Sequence, residues 1–363
     1  MENTQTMHEK KIADLLKGRP VFVTGADGFV GSHLTEKLVE YGSVVHVFVR
    51  ATSSGLLNNI PHLRESIKVH RGDLTDKQAV VTALRALKSD GGKPIVFHLG
   101  AQAHVGESWG RPYETVGAIV QGTQNMLQSV VDIDLDLHRF DTAGSSEEYG
   151  NVRDDVRHQH RFDQNGGLIL DERSPINPQS PYATAKLAAD FLTRNFNRAY
   201  GIPSLVTRMF NNYGPRQNPR FVTGTIITQA LSCDVIKLGY MLSKRDFCFV
   251  DDGVMGHINV ALFGEPGDVY VYGYGTTISM LDWYNMIIRI GQEGGHWGPK
   301  ELQADTKSRA RLGSSEVEEL RVDSSKLNQL TGWTPQTSWE TGVRKTVEWF
   351  AANRNRWISR VDW

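Results

Sequence analysis

Short apolar runs alternate with amphipathic segments from residue 20 to residue 143 of the chain. Short apolar runs between turn-forming residues are typical of buried strands, and an apolar residue at every third or fourth position indicates a helix face. Strands are therefore predicted at 21–24, 44–49, 67–70, 94–99 and 138–143, and helices at 32–41, 78–87 and 117–131. This alternation favours an α/β fold, a doubly wound parallel sheet of the Rossmann type with helices on both faces.

The two ends of the chain have patterns of their own. Residues 1–18 are predicted as an amphipathic helix with Ile12, Leu15 and Leu16 on one side and Gly18 as its stop. The later part of the chain is irregular and rich in Gly, Pro and Trp, which is the expected pattern of a substrate lobe. We therefore predict an N-terminal extension (1–19), a dinucleotide-binding Rossmann domain (20–207) and a smaller, mainly substrate-binding mixed α/β lobe (208–363), with interleaving of the last two left open.

The composition is that of an ordinary globular protein and argues against several function classes. Of the 363 residues, 39% are hydrophobic and 22% are charged, and the net charge of −1 provides no field that would attract nucleic acid or anionic lipid. No apolar run has membrane-spanning length, and the polar N-terminus lacks the apolar core of a signal peptide. Cys233 and Cys248 are expected to be reduced. We expect a cytoplasmic protein without nucleic-acid or membrane partners.

The polar segment 151–167 interrupts the alternation and is predicted as a long loop. It contains His158 and His160, and His138 lies nearby in sequence. No acidic or cysteine ligand pattern accompanies these histidines, so no metal site is predicted.

A glycine-rich turn lies between the first predicted strand and the helix that comes after it. Its sequence, T-G-A-D-G-F-V-G from Thr24 to Gly31, contains Gly25, Gly28 and Gly31. Without side chains, these positions let backbone N–H groups approach a pyrophosphate at the positive end of the helix. The turn therefore predicts an NAD(P) site; the alternative, a plain strand–helix turn, explains the surrounding pattern less well.

The end of the second strand bears on the choice between NAD and NADP. An acidic residue there would bind the ribose 2′-hydroxyl of NAD, but this chain has Arg50 followed by A-T-S-S at 51–54. An arginine beside hydroxyls suits a 2′-phosphate and favours NADP, with a plain surface arginine as the alternative. After the third strand, Asp73 is a candidate contact for the adenine amino group or the first residue of an Asx-type turn.

The second strong signal is S-P-Y-A-T-A-K, from Ser180 to Lys186. Ser180 is a natural N-cap and Pro181 a natural first helical residue, so Tyr182 and Lys186 share one helical face. A phenol with a pKa of about 10 is a poor base at neutral pH, but a nearby ammonium lowers that pKa. Tyr182 can then take the proton of a sugar hydroxyl, which Ser145 can hold in place. A tyrosine and a lysine four residues apart also occur by chance. The prediction therefore depends on Ser145, just after a predicted strand, as well as on Tyr182 and Lys186.

Together these motifs resemble the extended short-chain dehydrogenase/reductases of the sugar-nucleotide epimerase and dehydratase group. The resemblance runs in order from residue 20 to 352. It rests on T-G-A-D-G-F-V-G (24–31), G-D-L-T-D (72–76), H-L-G-A-Q-A-H-V (98–105), S-S-E-E-Y-G (145–150), P-Y-A-T-A-K (181–186), R-M-F-N-N-Y-G-P-R-Q (208–217), R-D-F-C-F-V-D-D (245–252) and V-D-S-S-K-L-N-Q-L-T-G-W-T-P (322–335). It implies a tightly bound NAD(P), a nucleotide-diphosphate sugar as substrate and a homodimer.

The resemblance also implies roles for single residues. Ser145, Tyr182 and Lys186 correspond to the catalytic triad. Besides Tyr182 and Lys186, cofactor contacts are implied for Gly25, Asp27, Gly28, Phe29, Val30, Arg50, Asp73, Leu74, Leu99 and Ala101. Substrate contacts are implied for His104, Asn211, Arg216, Arg245 and Arg311, of which Arg245 and Arg311 would clamp the diphosphate. Ile119 departs from the pattern, because relatives usually have an asparagine there.

Ser146 and Glu147 bear on the steps after the oxidation at C4 of the sugar, which the group shares. Epimerases of the group have S-A-T-V-Y-G here, without a carboxylate, whereas Ser146-Glu147 resembles the corresponding pair of 4,6-dehydratases. Once C4 is a ketone, Glu147 can remove the acidic C5 proton, and Ser146 can help to protonate the departing C6 hydroxyl. Hydride then returns to C6 and regenerates the cofactor. A nucleotide-sugar 4,6-dehydratase is therefore predicted.

Three other functions remain as alternatives. Reductases of GDP-4-keto-6-deoxy sugars carry a very similar S-S-E-E-Y-G, and 4-epimerases share the first step. A non-catalytic NAD(P)-binding scaffold would lose the Tyr-Lys pair, which this chain retains. The nucleotide base is open as well, because 104–108 resembles GDP-mannose dehydratases, whereas 225–239 and 315–317 resemble dehydratases of UDP-linked amino sugars.

Overall fold

The computed structural model describes residues 4–52, 55–305 and 316–358. Its helices are α1 (Thr4–Leu16), α2 (Phe29–Glu40), α3 (Lys77–Ser89), α4 (Glu107–Gly110), α5 (Pro112–Val116), α6 (Gly122–Asp132), α7 (Pro181–Tyr200), α8 (Val222–Ser232), α9 (Val250–Phe263), α10 (Met280–Glu293), α11 (Ser325–Thr331) and α12 (Trp339–Ala352). Its strands are β1 (Pro20–Thr24), β2 (Val44–Arg50), β3 (Ile67–Gly72), β4 (Ile95–His98), β5 (Arg139–Ser145), β6 (Arg161–Phe162), β7 (Leu168–Ile169), β8 (Ser204–Met209), β9 (Asn211–Tyr213), β10 (Val235–Leu238), β11 (Lys244–Arg245), β12 (Phe247–Phe249), β13 (Val269–Tyr272), β14 (Ile278–Ser279), β15 (Glu301–Ala304) and β16 (Glu319–Leu320).

Seven strands form one parallel sheet in the order β3, β2, β1, β4, β5, β8, β13. Val21, Phe22 and Val23 of β1 are fully buried, as a strand covered on both faces requires. The strand order reverses between β1 and β4, so a crevice opens at the carboxyl ends of these two strands. The predicted doubly wound parallel sheet is confirmed.

Alternate residues of each strand pack against different helix layers. Val21 and Val23 join Leu34 of α2 and Ile258 of α9 on one face of the sheet. Phe22 points to the opposite face and packs in a cluster with residues of α3 and α6. Burial on both faces of the sheet explains why β1, β2 and β4 are mainly apolar and were readable from the sequence.

Helix α1 belongs to the core of the sheet domain. Ile12 and Leu16 are fully buried in the cluster that contains α2 and α9. The hydroxyl of Tyr41, just after α2, donates to Glu9 at 3.2 Å. Leu15, predicted on the same side as Ile12 and Leu16, is instead 36% exposed, because successive helix residues point about 100° apart. The predicted extension is therefore a helix docked on the sheet domain.

The two lobes interleave after residue 207. Helix α9 and strand β13 occur late in the chain, yet β13 pairs with β8 at the edge of the sheet and α9 packs on its face. Much of the remaining chain forms a second lobe of short strands and a core of α8, α10 and α12. Stacked rings of Phe247 and Trp283, with centroids 4.3 Å apart, lie in that core. The second lobe is thus a mixed α/β unit that the chain enters more than once, because α9 and β13 belong to the sheet domain.

Two predicted segments differ in detail from the structure. Segment 151–167 contains 3-10 turns at Asp154–Gln159 and the hairpin β6–β7. Asp163 supports that hairpin by accepting backbone N–H groups of Asn165 and Gly167, which is how polar residues stabilise tight turns. The predicted helix 117–131 begins as a π-helical turn at Gly117–Gln121, which follows α5, and continues as α6.

Candidate active site

The glycine turn forms a backbone cradle at the start of α2. A Cβ atom on Gly31 would lie 2.2 Å from the carbonyl oxygen of Gly25, and one on Gly28 would lie 3.0 Å from it. Gly25 itself has a φ of +70°, which only glycine adopts readily. The N-cap of α2, Gly28, offers no side-chain cap to the first N–H groups of the helix. The turn therefore fits a pyrophosphate that the first N–H groups of α2 can bind.

A cleft of about 1310 Å³ runs from this turn to the second lobe. This volume exceeds that of a typical single-ligand pocket, roughly 300–1,000 Å³, and leaves room for a dinucleotide and a second nucleotide. The predicted site residues that line it are Gly25, Asp27, Gly28, Phe29, Val30, Arg50, Asp73, Leu74, Leu99, Ala101, His104, Ser145, Ser146, Glu147, Tyr182, Lys186, Asn211 and Arg245.

The catalytic corner is the point where β5 ends at Ser145 and a 3-10 turn, Ser146–Glu148, begins. Ser145 Oγ accepts the backbone N–H of Glu147 at 3.2 Å, and the backbone N–H of Ser145 donates to Glu148 Oε1 at 2.7 Å. These reciprocal bonds form a capping box, which fixes the direction of the turn. As a result Ser145, Ser146 and Glu147 all line the cleft while remaining largely buried.

Helix α7 brings the tyrosine and the lysine to this corner. Ser180 Oγ accepts the N–H of Ala183 at 3.0 Å, and Pro181 opens the helix, as predicted. Lys186 Nζ donates to the carbonyl oxygen of Ala143 on β5 at 2.7 Å and lies 6.0 Å from the centre of the Tyr182 ring. The packing of α7 against β5 thus sets the positions of both side chains relative to Ser145.

The pKa of Tyr182 corrects the electrostatic prediction. Burial raises the pKa of the phenol, the nearby carboxylates of Glu147 and Glu148 raise it further, and a hydrogen bond with Ser145 acts in the opposite direction. Burial also lowers the pKa of Lys186 to about 8, against the attraction of Glu148. The expected lowering of the phenol pKa is therefore wrong for the protein alone, because loss of solvent outweighs the neighbouring ammonium.

A buried ion-pair cluster lies behind the corner, and the sequence motifs did not indicate it. Arg208 of β8 contacts Glu148 at 2.9 Å and Asp190 of α7 at 2.8 Å, and all three side chains are almost completely buried. The hydroxyl of Tyr149 is 3.2 Å from the same guanidinium. Burial raises the pKa of Glu148 well above its usual range, and Arg208 opposes that rise. The three charges come from separate elements, so no local pattern connects them.

On the cofactor side, two predicted carboxylates have structural partners. Asp27 accepts the backbone N–H groups of Asn58 and Asn59 at 2.8 and 2.7 Å and so holds the loop after β2 against the glycine turn. Asp73 accepts the N–H and the hydroxyl of Thr75, which is the Asx-type turn considered as its alternative role. Arg50 ends β2 with an exposed side chain at the cleft. Both carboxylates remain at the cleft wall while they shape its loops.

On the substrate side, Arg245 is buried at the cleft and donates to Glu316 at 3.2 Å. Asn211 lines the cleft with a buried Oδ1 that has no hydrogen-bond partner within the described part of the chain. His104 accepts the backbone N–H of Glu107 at 3.1 Å, which fixes its ring beside the cleft. Arg311 lies outside the described residues.

The predicted substrate contact of Arg216 needs correction. Its guanidinium turns away from the cleft and pairs with Glu36 of α2, with 2.9 Å between Nη1 and Oε1, and it also donates to the carbonyl oxygen of Asn59. The backbone of Arg216 has a φ of +68°, in the left-handed region. This turn directs the side chain to α2, so Arg216 joins the second lobe to the sheet domain and does not line the cleft.

Other cleft residues were not predicted from the sequence. Gln217 is 6% exposed; its Nε2 donates to the carbonyl oxygen of Asn212, and its Oε1 has no hydrogen-bond partner in the described ranges. Glu107 and Arg220 form an ion pair beside it on the cleft wall. Side chains in a loop rich in Pro and polar residues follow no period, so only the neighbouring motif could have drawn attention to Gln217.

Comparisons with known proteins agree with this geometry. The family model described as GDP-mannose 4,6 dehydratase matches residues 22–346. The dTDP-glucose 4,6-dehydratase of Escherichia coli is 28% identical over 357 residues, which cover 94% of this chain and 96% of the relative. GDP-mannose 4,6 dehydratase 1 of Arabidopsis thaliana is 29% identical over 354 residues, with coverages of 93% and 91%.

A solved structure adds a bound cofactor to the comparison. The dTDP-glucose 4,6-dehydratase DesIV of Streptomyces venezuelae, as a double mutant with NAD bound, superposes with a TM-score of 0.78 at 26% sequence identity. The match covers 93% of this chain and 99% of the DesIV chain. A protein with a similar fold therefore holds NAD in its solved structure.

Proposed function

Because the chain belongs to the GDP-mannose 4,6-dehydratase family, we propose that it is an NAD(P)-dependent nucleotide-sugar 4,6-dehydratase. Its product would be a 4-keto-6-deoxy sugar nucleotide. The observation that carries this proposal is Glu147, a carboxylate that lines the cleft on the same turn as Ser145 and across from Tyr182 and Lys186 of α7. An epimerase needs no base at C5, whereas a dehydratase does.

The proposed chemistry divides the proton transfers among named side chains. NAD(P), when bound, accepts hydride from C4 of the hexose and returns it to C6. Tyr182 takes the proton of the C4 hydroxyl, which Ser145 Oγ holds; the phenol must first ionise against the effect of its burial, and the positive charge of Lys186 near it favours that ionisation. Glu147 takes the C5 proton and later returns a proton to C5. Ser146 assists protonation of the C6 hydroxyl, so that the proton lost from the C4 hydroxyl leaves in the water released.

The residues of the glycine cradle would hold the cofactor, and Arg50 supports NADP as the preferred form. An exposed guanidinium at the end of β2 suits a 2′-phosphate, although the solved DesIV relative has NAD bound. Arg50→Ala should weaken NADP binding about tenfold or more and leave NAD binding within about twofold, as measured by calorimetry. Equal effects on the two cofactors would contradict the preference.

Glu147→Gln tests the dehydratase proposal. The amide keeps the shape of the side chain but cannot take a proton, so formation of 4-keto-6-deoxy product should fall by about 10²-fold or more. Oxidation at C4 needs no carboxylate, so reduced cofactor should accumulate on the variant and be visible in its near-ultraviolet absorbance. Full dehydratase activity in the variant would refute the assignment of Glu147.

A panel of nucleotide sugars distinguishes the dehydratase from the reductase that shares S-S-E-E-Y-G. Product formed by the wild-type protein without added reduced cofactor supports the dehydratase. Turnover only with NADPH and a 4-keto sugar nucleotide would instead identify a reductase. Including GDP-, UDP- and dTDP-linked hexoses in the same panel determines the base.

We also propose that the protein forms a homodimer through α5 and α7. These adjacent helices expose Tyr113, Val116 and Phe191, and the side chain of Tyr113 is 92% exposed. Grouped exposed apolar residues on a folded protein are typical of an interface. Phe191→Glu should give a monomer in analytical ultracentrifugation, whereas Leu330→Glu, at an exposed leucine of α11, should not. A monomeric wild-type protein would contradict the proposal.

For location, we propose the cytoplasm. Cys233 and Cys248 are both unpaired, as expected in a reducing compartment. Across residues 4–52, 55–305 and 316–358, no helix has the length and apolar character needed to cross a bilayer. Cell fractionation with an antibody to the protein tests this proposal; recovery in a secreted or membrane fraction would contradict it.

A further inference from the structure

A second glutamate lies directly behind the catalytic corner. Glu148 is completely buried and is not one of the residues that line the cleft, in contrast to its neighbour Glu147. Through the capping box it accepts the backbone N–H of Ser145.

Charged groups face Glu148 from β8 and from α7. Arg208 of β8 contacts both Glu148 and Asp190, so one guanidinium serves two carboxylates. Asp190 has a second cation, because Arg194 Nε donates to its other oxygen at 2.6 Å. Lys186 of α7 also interacts electrostatically with Glu148. The charge of Glu148 is therefore shared between Arg208, which is behind it, and Lys186, which is part of the site.

The neutral polar groups around Glu148 belong to the same corner. The hydroxyl of Tyr149 contacts Arg208 from the 3-10 turn, and Tyr182 of α7 interacts electrostatically with both Glu147 and Glu148. Within the described residues, the main charged influences on Glu148 all come from these elements. Glu148 thus links the backbone of Ser145 to the charge environment of the Tyr-Lys pair.

We propose that Glu148 is a positioning residue of the active site: it holds Ser145 by its backbone N–H, and its carboxylate sets the charge that Lys186 and Tyr182 experience. The first action fixes where Ser145 Oγ can meet a substrate hydroxyl. Burial lowers the pKa of Lys186 to about 8. The second action opposes burial, because the negative charge of Glu148 raises that pKa. Lys186 therefore stays protonated to a higher pH than it would without Glu148.

Glu148→Gln separates the two actions. The amide oxygen can still accept the N–H of Ser145, but the charge is gone. We expect the KM for the nucleotide sugar to stay within about twofold, and the alkaline limb of the kcat profile to move to lower pH by about one unit. Glu148→Leu removes the acceptor as well and should lower kcat at the optimum by a further tenfold or so. An unchanged alkaline limb in Glu148→Gln would overturn the electrostatic role.

Asp190→Asn is the matched control. It also removes a carboxylate from Arg208, but Asp190 is paired with Arg194 as well. The charge of Asp190 raises the pKa of Glu148, so its removal lowers that pKa and leaves Glu148 ionised at alkaline pH, where it still acts on Lys186. Its alkaline limb should therefore stay where it is in the wild-type protein. An equal shift in Asp190→Asn and Glu148→Gln would mean that the cluster acts only through general stability, and it would overturn the proposal.

The pH-profile experiment rests on the proposed function only because its substrate is a nucleotide sugar. It can be measured on hydride transfer from C4 alone, a step that dehydratases and epimerases share, so failure of the dehydratase assignment does not affect it. A readout without turnover is the urea midpoint at about pH 5 and pH 8. Burial raises the pKa of Glu148, so the wild-type midpoint should fall relative to that of Glu148→Gln as pH rises.

Discussion

Leu16→Ala tests whether helix α1 is part of the folding core. Leu16 is fully buried with residues of α2, α9 and the central strands, whereas the adjacent Leu15 is 36% exposed. Both leucines lie in the last turn of the same helix, so Leu15→Ala is the matched control: the change in helix propensity is similar and the burial differs. The comparison therefore isolates the contribution of tertiary packing.

The expected magnitude depends on the contacts of Leu16. Removing three carbon atoms forfeits about 2.4 kcal/mol at roughly 0.8 kcal/mol for each buried CH₂. The cavity left among rigid neighbours on α2 and α9 adds to this, so the free energy of unfolding should fall by about 3–4 kcal/mol. Leu15 already contacts water and its surroundings can relax, so its truncation should cost about 1 kcal/mol or less.

Urea unfolding followed by tryptophan fluorescence measures both variants. The Leu16→Ala midpoint should fall without a change in m, while the Leu15→Ala midpoint should stay close to that of the wild-type protein. Hydrogen exchange at residues 4–16 shows whether α1 opens with the sheet domain or separately from it. Small and equal shifts for the two variants would refute the conclusion that α1 belongs to the core.

Three further predictions concern the cradle, the cleft and acid stability. Gly31→Ala places a Cβ 2.2 Å from the oxygen of Gly25 and should weaken NAD(P) binding at least tenfold or so by calorimetry; unchanged affinity would contradict the cradle. Gln217→Leu removes the buried Oε1, which is available to accept a hydrogen bond from the nucleotide sugar. The KM for that substrate should therefore rise about tenfold, with kcat within about twofold. An unchanged KM would contradict a contact between Gln217 and the substrate. Burial lowers the pKa of His70, stacked on His46, to about 4. As pH falls below about 6.5, His70 therefore takes up a proton in the unfolded chain before it does so in the folded protein. The free energy of unfolding should drop between about pH 6.5 and 4. A His70→Gln variant with the same pH dependence would contradict this.

The parts of the fold that were readable from the sequence are those whose local pattern and tertiary environment agree. Strands β1, β2 and β4 are almost wholly buried and consist mainly of apolar residues, and the first five strands were all predicted within two or three residues. Strand β13 pairs with β8 across a long stretch of chain, and α9 is apolar on most sides because it lies between the sheet and the second lobe. Neither arrangement has a local period, so the interleaving could not be assigned from the sequence.

The site shows the same division between local and long-range information. Tyr182 and Lys186 lie within one motif. They were predicted as a pair because residues four positions apart in a helix share one face. The ion-pair cluster of Glu148, Asp190 and Arg208 is built from a turn, a helix and a strand. Each charge alone has the pattern of an ordinary polar position, so the cluster becomes visible only in three dimensions.

Burial explains why the pKa of Tyr182 shifts in the direction opposite to the prediction. That prediction rested on one interaction, the ammonium at the next turn, whose effect on a pKa is about 1–3 units. The structure adds Ile119 of the π-helical turn, which packs in one cluster with Tyr182, Ala185 and Ala189 and helps to exclude water from the phenol. Complete burial shifts a pKa by up to about 3–5 units in the opposite direction, so burial outweighs the ammonium.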